Sequence, residues 1–321
     1  MNERIYLLEE ADPQVFFGVN NCNLLFLKES YPKLRIMARG NIIKVIGEAE
    51  ELKSFLRLLN ELEEHATKYN ALSEATIEEI IAGKEPSDDH SSHNAIIYGS
   101  GGKPITPRTP NQTKLVRLID SHDMVFAAGP AGSGKTFLAI VMAVKMLKNK
   151  ETRRIILSRP AVEAGEKLGF LPGEMKDKLD PYLQPLYDAL QELIPSIRLK
   201  EYMESGVIQI APLAYMRGRT LNDAVIILDE AQNTTIHQMK MFLTRLGKNA
   251  KMIITGDETQ IDLPKGISSG LKEAKAILKG VEGIAWLTFN KKDIMRHSLV
   301  QAIIEAYDEH DKQKKLNNTS K

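Results

Sequence analysis

From about residue 124 onward, short apolar runs alternate with longer stretches in which apolar positions recur every three or four residues. The runs predict strands over 124–129, 154–158, 207–212, 224–229, 252–256 and 284–288. The periodic stretches predict helices over 136–147, 181–193, 235–246 and 268–276. Strands that stay apolar on consecutive positions belong to parallel sheets covered on both faces. Regular alternation of strand and helix therefore predicts one doubly wound α/β domain. In such sheets ligands bind beyond the carboxyl ends of the strands.

Before residue 84 the pattern is different. Strands are predicted over 4–8, 34–38 and 42–47, the last two joined by the turn Arg39-Gly40-Asn41. Helices are predicted over 20–30, 49–69 and 73–81. In the longest, Leu52, Phe55, Leu56, Leu59 and Leu62 follow three- and four-residue spacing, so one face packs. From 85 to 94 the periodicity ends among Pro, Ser, Asp and His, and Gly99-Ser100-Gly101-Gly102 continues the loose composition. The expected organisation is a small α+β domain over 1–83, a linker over 84–102, an α/β domain over 103–310 and a disordered tail over 311–321. His90 and His93 read as linker residues, since no further metal-ligating residues cluster beside them.

Composition changes this picture little. The chain has 321 residues, a net charge of +1 and a 26% charged fraction, so any basic surface is local. One cysteine, Cys22, excludes an intrachain disulfide and a cysteine metal cluster. No apolar run is long enough to span a bilayer. The opening Met1-Asn2-Glu3-Arg4-Ile5 lacks the basic-then-apolar pattern of a secretory leader. A soluble, cytoplasmic protein without a membrane partner is the expectation.

The chemistry gathers at the predicted strand ends. Gly129, Pro130, Ala131, Gly132, Ser133, Gly134, Lys135 and Thr136 match G-x-x-x-x-G-K-[ST] at every fixed position, between a strand and a helix. Glycines let backbone N–H groups turn inward on phosphate oxygens, and the helix N-terminus adds partial positive charge. Lys135 reaches the β- and γ-phosphates, and the Thr136 hydroxyl ligates Mg²⁺. The strand at 224–229 ends in Asp229 and Glu230. Asp229 is the expected Mg²⁺ partner and Glu230 the base that activates water. Gln260, in Gly256-Asp257-Glu258-Thr259-Gln260, can bond a γ-phosphate or the attacking water as donor and acceptor.

Three further features are less specific. Gln112, just before a predicted helix, offers an amide that can pair with both the amino group and a ring nitrogen of adenine; a polar helix cap is the other reading. Arg296, after the last strand, is a candidate for meeting the charge of phosphoryl transfer, within the subunit or in a neighbour's site, and equally a candidate for a plain ion pair. The segment 158–170, with Ser158, Arg159 and Lys167, reads as a nucleic-acid backbone contact or as a rigid loop. Lys176, Lys178 and Tyr182 would extend such a groove.

Taken together, the residues over 129–136, 158–170, 181–190, 227–232, 255–264 and 296–307 resemble the PhoH-like family of cytoplasmic ATPases. That resemblance implies a P-loop NTPase core, RecA-like and similar to the nucleotide-binding half of superfamily 1 helicases. It implies Gln112 on adenine, Lys135 and Thr136 on phosphate and Mg²⁺, Asp229 and Glu230 on metal and water, and Gln260 as sensor. Helicases of that superfamily close ATP between two such cores, whereas this chain has room for one. A homo-oligomer, in one form a hexameric ring, would supply the other half. The first 83 residues resemble a KH-like domain, with Gly18-Val19-Asn20-Asn21 in place of the G-x-x-G loop and without its second glycine. No acidic triad for nuclease chemistry can be assembled there. The expected function is ATP hydrolysis with Mg²⁺, coupled to RNA or single-stranded nucleic acid. The alternative is a slow ATP-dependent switch acting on a protein partner. A small-molecule kinase is the third reading, and the Asp-Glu strand end favours water as the nucleophile.

Overall fold

The computed structural model describes residues 2–84, 86, 95–160, 175–264 and 266–295, with a few positions beyond. The N-terminal unit runs β1 (Asn2–Leu7), α1 (Pro13–Phe17), α2 (Cys22–Ser30), β2 (Arg35–Arg39), β3 (Ile42–Gly47), α3 (Ala49–Tyr69) and α4 (Glu74–Ile81). Its strands form an antiparallel sheet in the order β1-β3-β2. The stripe along α3 (Leu52, Phe55, Leu59, Leu62 and Ala66) is buried against that sheet and α1. Glu50 and Glu51 in its first turn suit the positive end of the helix dipole. Helix α1 escapes sequence periodicity because it is only five residues long; Asp12 Oδ1 caps it by accepting the Gln14 N–H at 2.7 Å.

One buried acid organises the entrance to this unit. Glu63, on α3, accepts from the Tyr6 hydroxyl at 2.6 Å and from the N–H groups of Glu9, Glu10 and Ala11 at 2.7, 2.8 and 3.2 Å. Three backbone donors pointed at one carboxylate hold the loop after β1 in place. Burial, then the hydrogen bond and charge of Glu63, push the Tyr6 phenol well above its usual range, so it stays a donor.

Part of the connection expected over 84–102 is ordered. β4 (Ile97–Tyr98) pairs with β5 (Pro104–Ile105) as a short antiparallel ribbon. Tyr98 lies edge-on to Tyr69, with ring centroids 4.9 Å apart, so the ribbon rests against the end of α3. Residues 85 and 87–94, including His90 and His93, lie outside the described residues, as does the tail over 311–321.

The remaining elements are α5 (Pro110–Ser121), β6 (Met124–Ala128), α6 (Lys135–Lys148), β7 (Arg154–Arg159), α7 (Met175–Leu193), α8 (Ser196–Glu204), β8 (Ile208–Pro212), β9 (Ala224–Leu228), α9 (Ile236–Leu243), β10 (Lys251–Gly256), α10 (Gly270–Ile277) and β11 (Ile284–Thr288). Six strands form one parallel sheet in the order β11-β6-β10-β9-β7-β8. Alternate side chains serve opposite faces. Val125, Ile155, Val225 and Ile253 pack with α5, α6, α7 and α8; Phe126, Ile156, Ile226 and Ile254 pack with α9 and α10. Helix α6 is apolar around most of its circumference because it is covered on nearly every side, with Ala139 to Ala143 wholly buried. Among the described residues no helix is long and apolar enough to cross a membrane.

The strand order positions the site. β6 enters between β10 and β11, and the chain then crosses to β7 at the far side of β9. The carboxyl ends of β6, β10, β9 and β7 therefore lie side by side, with the glycine loop after β6 and polar residues at the tips of the other three.

Glu63→Ala would leave the Tyr6 hydroxyl and three N–H groups without their acceptor. Urea denaturation should show a loss of about 3 kcal/mol or more for Glu63→Ala and a smaller loss for Glu63→Gln. A change below about 1 kcal/mol for Glu63→Ala would mean that this carboxylate does not organise the unit.

Candidate nucleotide site

The glycine loop adopts the backbone that its sequence requires. Gly129, Gly132 and Gly134 have φ of 146°, 80° and 78°, and a Cβ on Gly129 would lie 2.6 Å from Phe289 Cβ. The Gly129 N–H donates to Gly256 O at 3.0 Å, fixing the loop to the end of β10. Lys135 opens α6 and folds its ammonium back onto Gly129 O at 2.7 Å, Pro130 O at 2.8 Å and Ser133 Oγ at 3.3 Å. The Ala131 N–H donates to Asp257 Oδ2 at 3.1 Å.

Beyond the loop, oxygens converge. Thr136 Oγ1 donates to Asp229 Oδ1 at 2.6 Å, and Thr255 Oγ1 donates to the same oxygen at 2.8 Å. Asp229 is buried at the tip of β9, its N–H bonded to Ser158 O on β7. A hydroxyl and a carboxylate side by side are hard oxygen donors. Mg²⁺ at phosphates commonly takes one or two protein oxygens of this type, with water and phosphate oxygens completing its shell. The residues present fit that ion. A cleft of about 240 Å³ is lined by Lys135, Thr136, Asp229, Glu230, Asp257 and Gln260 together with the loop. On the other side of Gly134 a hollow of about 600 Å³ opens past Gln112, Phe137 and Met295.

Glu230 sits in the left-handed region at φ 51° and ψ 39°. A non-glycine residue there is strained, and strained positions of this kind concentrate at functional sites. Its carboxylate is engaged on both oxygens: Arg159 Nη2 donates to Oε1 at 3.1 Å, and Gln232 Nε2 donates to Oε2. Arg159, at the tip of β7, also donates to Tyr182 O at 3.0 Å, and its Nε lies 4.0 Å from Asp229 Oδ2. Gln232 is 1% exposed and links the tip of β9 to the turn after β10. It binds Glu230 as above, donates to Gln260 O at 3.1 Å and accepts the Asp257 N–H at 2.9 Å.

The residues expected from sequence fall into three groups. The loop, Lys135, Thr136, Asp229, Glu230 and Gln260 are brought together; Gln260 is exposed at the cleft with Nε2 held by Asp257 Oδ2 at 3.0 Å. Gln112 lies at the neighbouring hollow, but its amide is committed to the protein. Oε1 accepts the Arg108 N–H at 2.7 Å, while Nε2 donates to Ser133 O at 3.1 Å and approaches Met295 Sδ at 3.6 Å. In this arrangement it braces the glycine loop. Ser158 is fully buried beneath Asp229 and presents nothing to a nucleic acid, and the Arg159 guanidinium faces Glu230. Arg296 and Lys167 lie outside the described residues; Met295, which precedes Arg296, donates its N–H to Gly132 O at 2.9 Å.

Sequence reading missed Thr255, Asp257, Gln232, Arg159 as a partner of Glu230, and Asp293. Thr255 and Asp257 were legible as polar residues interrupting or following an apolar strand, and Gln232 only as a near neighbour of Asp229 and Glu230. Asp293 had no such signal. Its carboxylate accepts from Thr109 Oγ1 at 2.8 Å, Asn111 Nδ2 at 2.7 Å and the Asn290 N–H at 2.9 Å. It thereby ties the start of α5, and Gln112 with it, to the segment after β11. Burial works against its charge, but these hydrogen bonds prevail and hold its carboxyl below the usual value.

A glycine loop between the first strand and a helix of a parallel sheet, facing an acidic strand tip, defines a P-loop NTPase. The family model "PhoH-like protein" matches residues 104–308. The chain is 49% identical over 314 residues to the PhoH-like protein of Bacillus subtilis, covering 96% of this chain and 97% of that one. It is 37% identical over 284 residues to protein PhoH of Escherichia coli, covering 87% and 77% respectively. The chain belongs to the PhoH-like family. Among solved structures it is similar to the Pif1 helicase from Candida albicans, with TM-score 0.34 and 14% identity, covering 63% of this chain and 43% of that one.

Because the folded-state value of Asp293 is depressed, its contribution to stability is fully present above its unfolded value, near pH 4, and is lost as the pH falls below that. The stability gap between the native protein and Asp293→Asn should therefore be constant at neutral pH and shrink below about pH 4. A gap that does not change with pH would show that the charge of Asp293 is not what holds the contact.

Proposed function

We propose that this protein is an Mg²⁺-dependent ATP hydrolase whose turnover is coupled to RNA or single-stranded nucleic acid. The observation that carries this reading is the 2.6 Å hydrogen bond from Thr136 to Asp229, which sets a metal-binding pair of oxygens between the glycine loop and the neighbouring acid Glu230. Lys135 and the loop N–H groups bind the β- and γ-phosphates. Thr136 and Asp229 hold Mg²⁺, which when bound neutralises charge on the phosphate oxygens. Glu230 orients the attacking water and accepts its proton. Gln260, hydrogen-bonded to Asp257, reports the presence of the γ-phosphate by exchanging that bond for one to the nucleotide. In this reading Arg296 meets the developing charge, within the subunit or from a neighbour in a homo-oligomeric ring, in one form a hexamer. ATP is the expected nucleotide, with the base in the hollow beside Gln112. The protein works in the cytoplasm.

Nucleic acid would approach along the segment that follows β7, where Arg159 links the strand to Glu230. The N-terminal unit supplies a second contact in this reading. Its order βααββα suits a KH-like domain, with the stretch from Gly18 to Asn21 between α1 and α2. Asn20 and Asn21 take φ of 54° and 60° there, and Asn21 is the left-handed residue where the G-x-x-G loop has its second glycine. The organisation into 1–83, 84–102, 103–310 and 311–321 is part of this proposal.

One observation favours the alternative of a slow switch: both carboxylate oxygens of Glu230 are already engaged. A base held in this way turns over slowly until Arg159 is drawn off.

Steady-state ATP hydrolysis with Mg²⁺, with and without single-stranded RNA or DNA, separates the two. The hydrolase reading expects stimulation by RNA. It also expects at least about a 100-fold loss of turnover in Glu230→Gln with ATP binding kept, and loss of both in Lys135→Ala. Tight ATP binding with negligible turnover that neither nucleic acid changes would favour the switch.

A further inference from the structure

Away from the glycine loop, a cavity of about 450 Å³ lies between the N-terminal unit and the α/β domain. Asp12, Thr67 and Asn70 line it from one side, and Lys148, Arg153 and Arg198 from the other. The two units are clasped beside it by the ion pair Lys150–Glu10 and by Arg198 Nη2, which donates to Glu9 O at 3.1 Å. A volume of this size is in the range of small-molecule sites.

Its walls carry buried polar atoms without a protein partner. Asp12 spends Oδ1 on the cap of α1, while Oδ2 is buried and unpaired. Asn70, the left-handed residue that ends α3, has an unpaired Nδ2. Asp12 and Asn70 are 7% and 5% exposed. Thr67 Oγ1 is unpaired one helical turn earlier, and Arg198 leaves Nε unpaired although both its terminal nitrogens are engaged. Buried polar atoms are normally satisfied, so four of them around one cavity mark a place where something else binds.

Charge narrows the ligand. The lining carries Lys148, Lys150, Arg153 and Arg198 with only Glu10 and Asp12. Lys150 is paired with Glu10 and Arg198 with Glu201, which leaves Lys148 and Arg153 as an excess of cations. Burial alone pushes the Lys148 ammonium down to about 8, with no carboxylate compensating it. A bare anion would meet the unpaired Asp12 carboxylate, which calls for a hydroxyl donor instead. The ligand must therefore carry both an anionic group and hydroxyls.

We propose that this interdomain cavity is a second ligand site, separate from the glycine loop, for a small hydroxylated phosphate ester such as a sugar phosphate. The phosphoryl group lies toward Lys148, Arg153 and Arg198, and hydroxyls satisfy Asp12 Oδ2, Thr67 Oγ1 and Asn70 Nδ2. Because its walls come from both units, bound ligand fastens the N-terminal unit to the α/β domain.

Isothermal titration of the full chain with ribose 5-phosphate, and separately with inorganic phosphate, tests this. Lys135→Ala serves as the background in which the glycine loop is disabled. Ribose 5-phosphate should bind the native protein and Lys135→Ala equally. Lys148→Met should weaken it about tenfold or more, and Thr67→Val severalfold without loss of thermal stability. Absence of binding overturns the proposal. So does binding that Lys135→Ala abolishes and Lys148→Met retains, since the ligand would then sit on the glycine loop. Inorganic phosphate binding as tightly as the ester overturns the hydroxylated class. If Lys148→Met does not fold, the near-isosteric Thr67→Val decides: unchanged affinity for the ester counts against the site.

Discussion

The short hydrogen bond between Thr136 and Asp229 joins the first turn of α6 to the tip of β9, two strands away in the sheet. It forms only because β10 lies between β6 and β9, and because Thr255 on β10 binds the same carboxylate oxygen. A carboxylate this deeply buried would be unfavourable without such donors. Two hydroxyls and the Asp229 backbone N–H on Ser158 O give it a fixed geometry. The register of the parallel sheet thereby becomes a chemical arrangement.

Around this pair the protein is built to hold the loop rather than leave it open. Asp257 occupies the Ala131 N–H, Gln112 supports Ser133 and the Met295 N–H reaches Gly132 O. Asp293 anchors the helix that carries Gln112. Gln232 ties the acidic tip of β9 to the turn after β10, so Glu230, Asp257 and Gln260 are linked through one side chain. The Gln232 amide thus holds the Glu230 carboxylate in a fixed place relative to the backbone of Asp257 and Gln260.

Much of this was legible in the sequence. Short consecutive apolar runs such as Val225 to Leu228 read as buried strands by their length and by their alternation with helical stretches, and that order fixed the α/β class. The glycine loop was legible because its chemistry is local, and so were Asp229 and Glu230, which follow directly on an apolar strand. The partner of Glu230 was not: Arg159 lies 71 residues away, and only the adjacency of β7 and β9 brings them together. The same holds for Asp293 and Thr109, 184 residues apart. Gln112 was expected on adenine, but its neighbours commit its amide to Arg108 and Ser133. Short elements such as α1 lie below the length at which periodicity speaks.

The central claim is that the oxygens of Thr136 and Asp229 exist to hold a metal ion against a bound nucleotide. Equilibrium binding of ATP to the native protein and to Thr136→Val, each with Mg²⁺ and with chelator, tests it most directly. Affinity should rise with Mg²⁺ in the native protein, by about tenfold or more, and that dependence should vanish in Thr136→Val while metal-free binding is retained. An equal response to Mg²⁺ in both proteins would contradict the account.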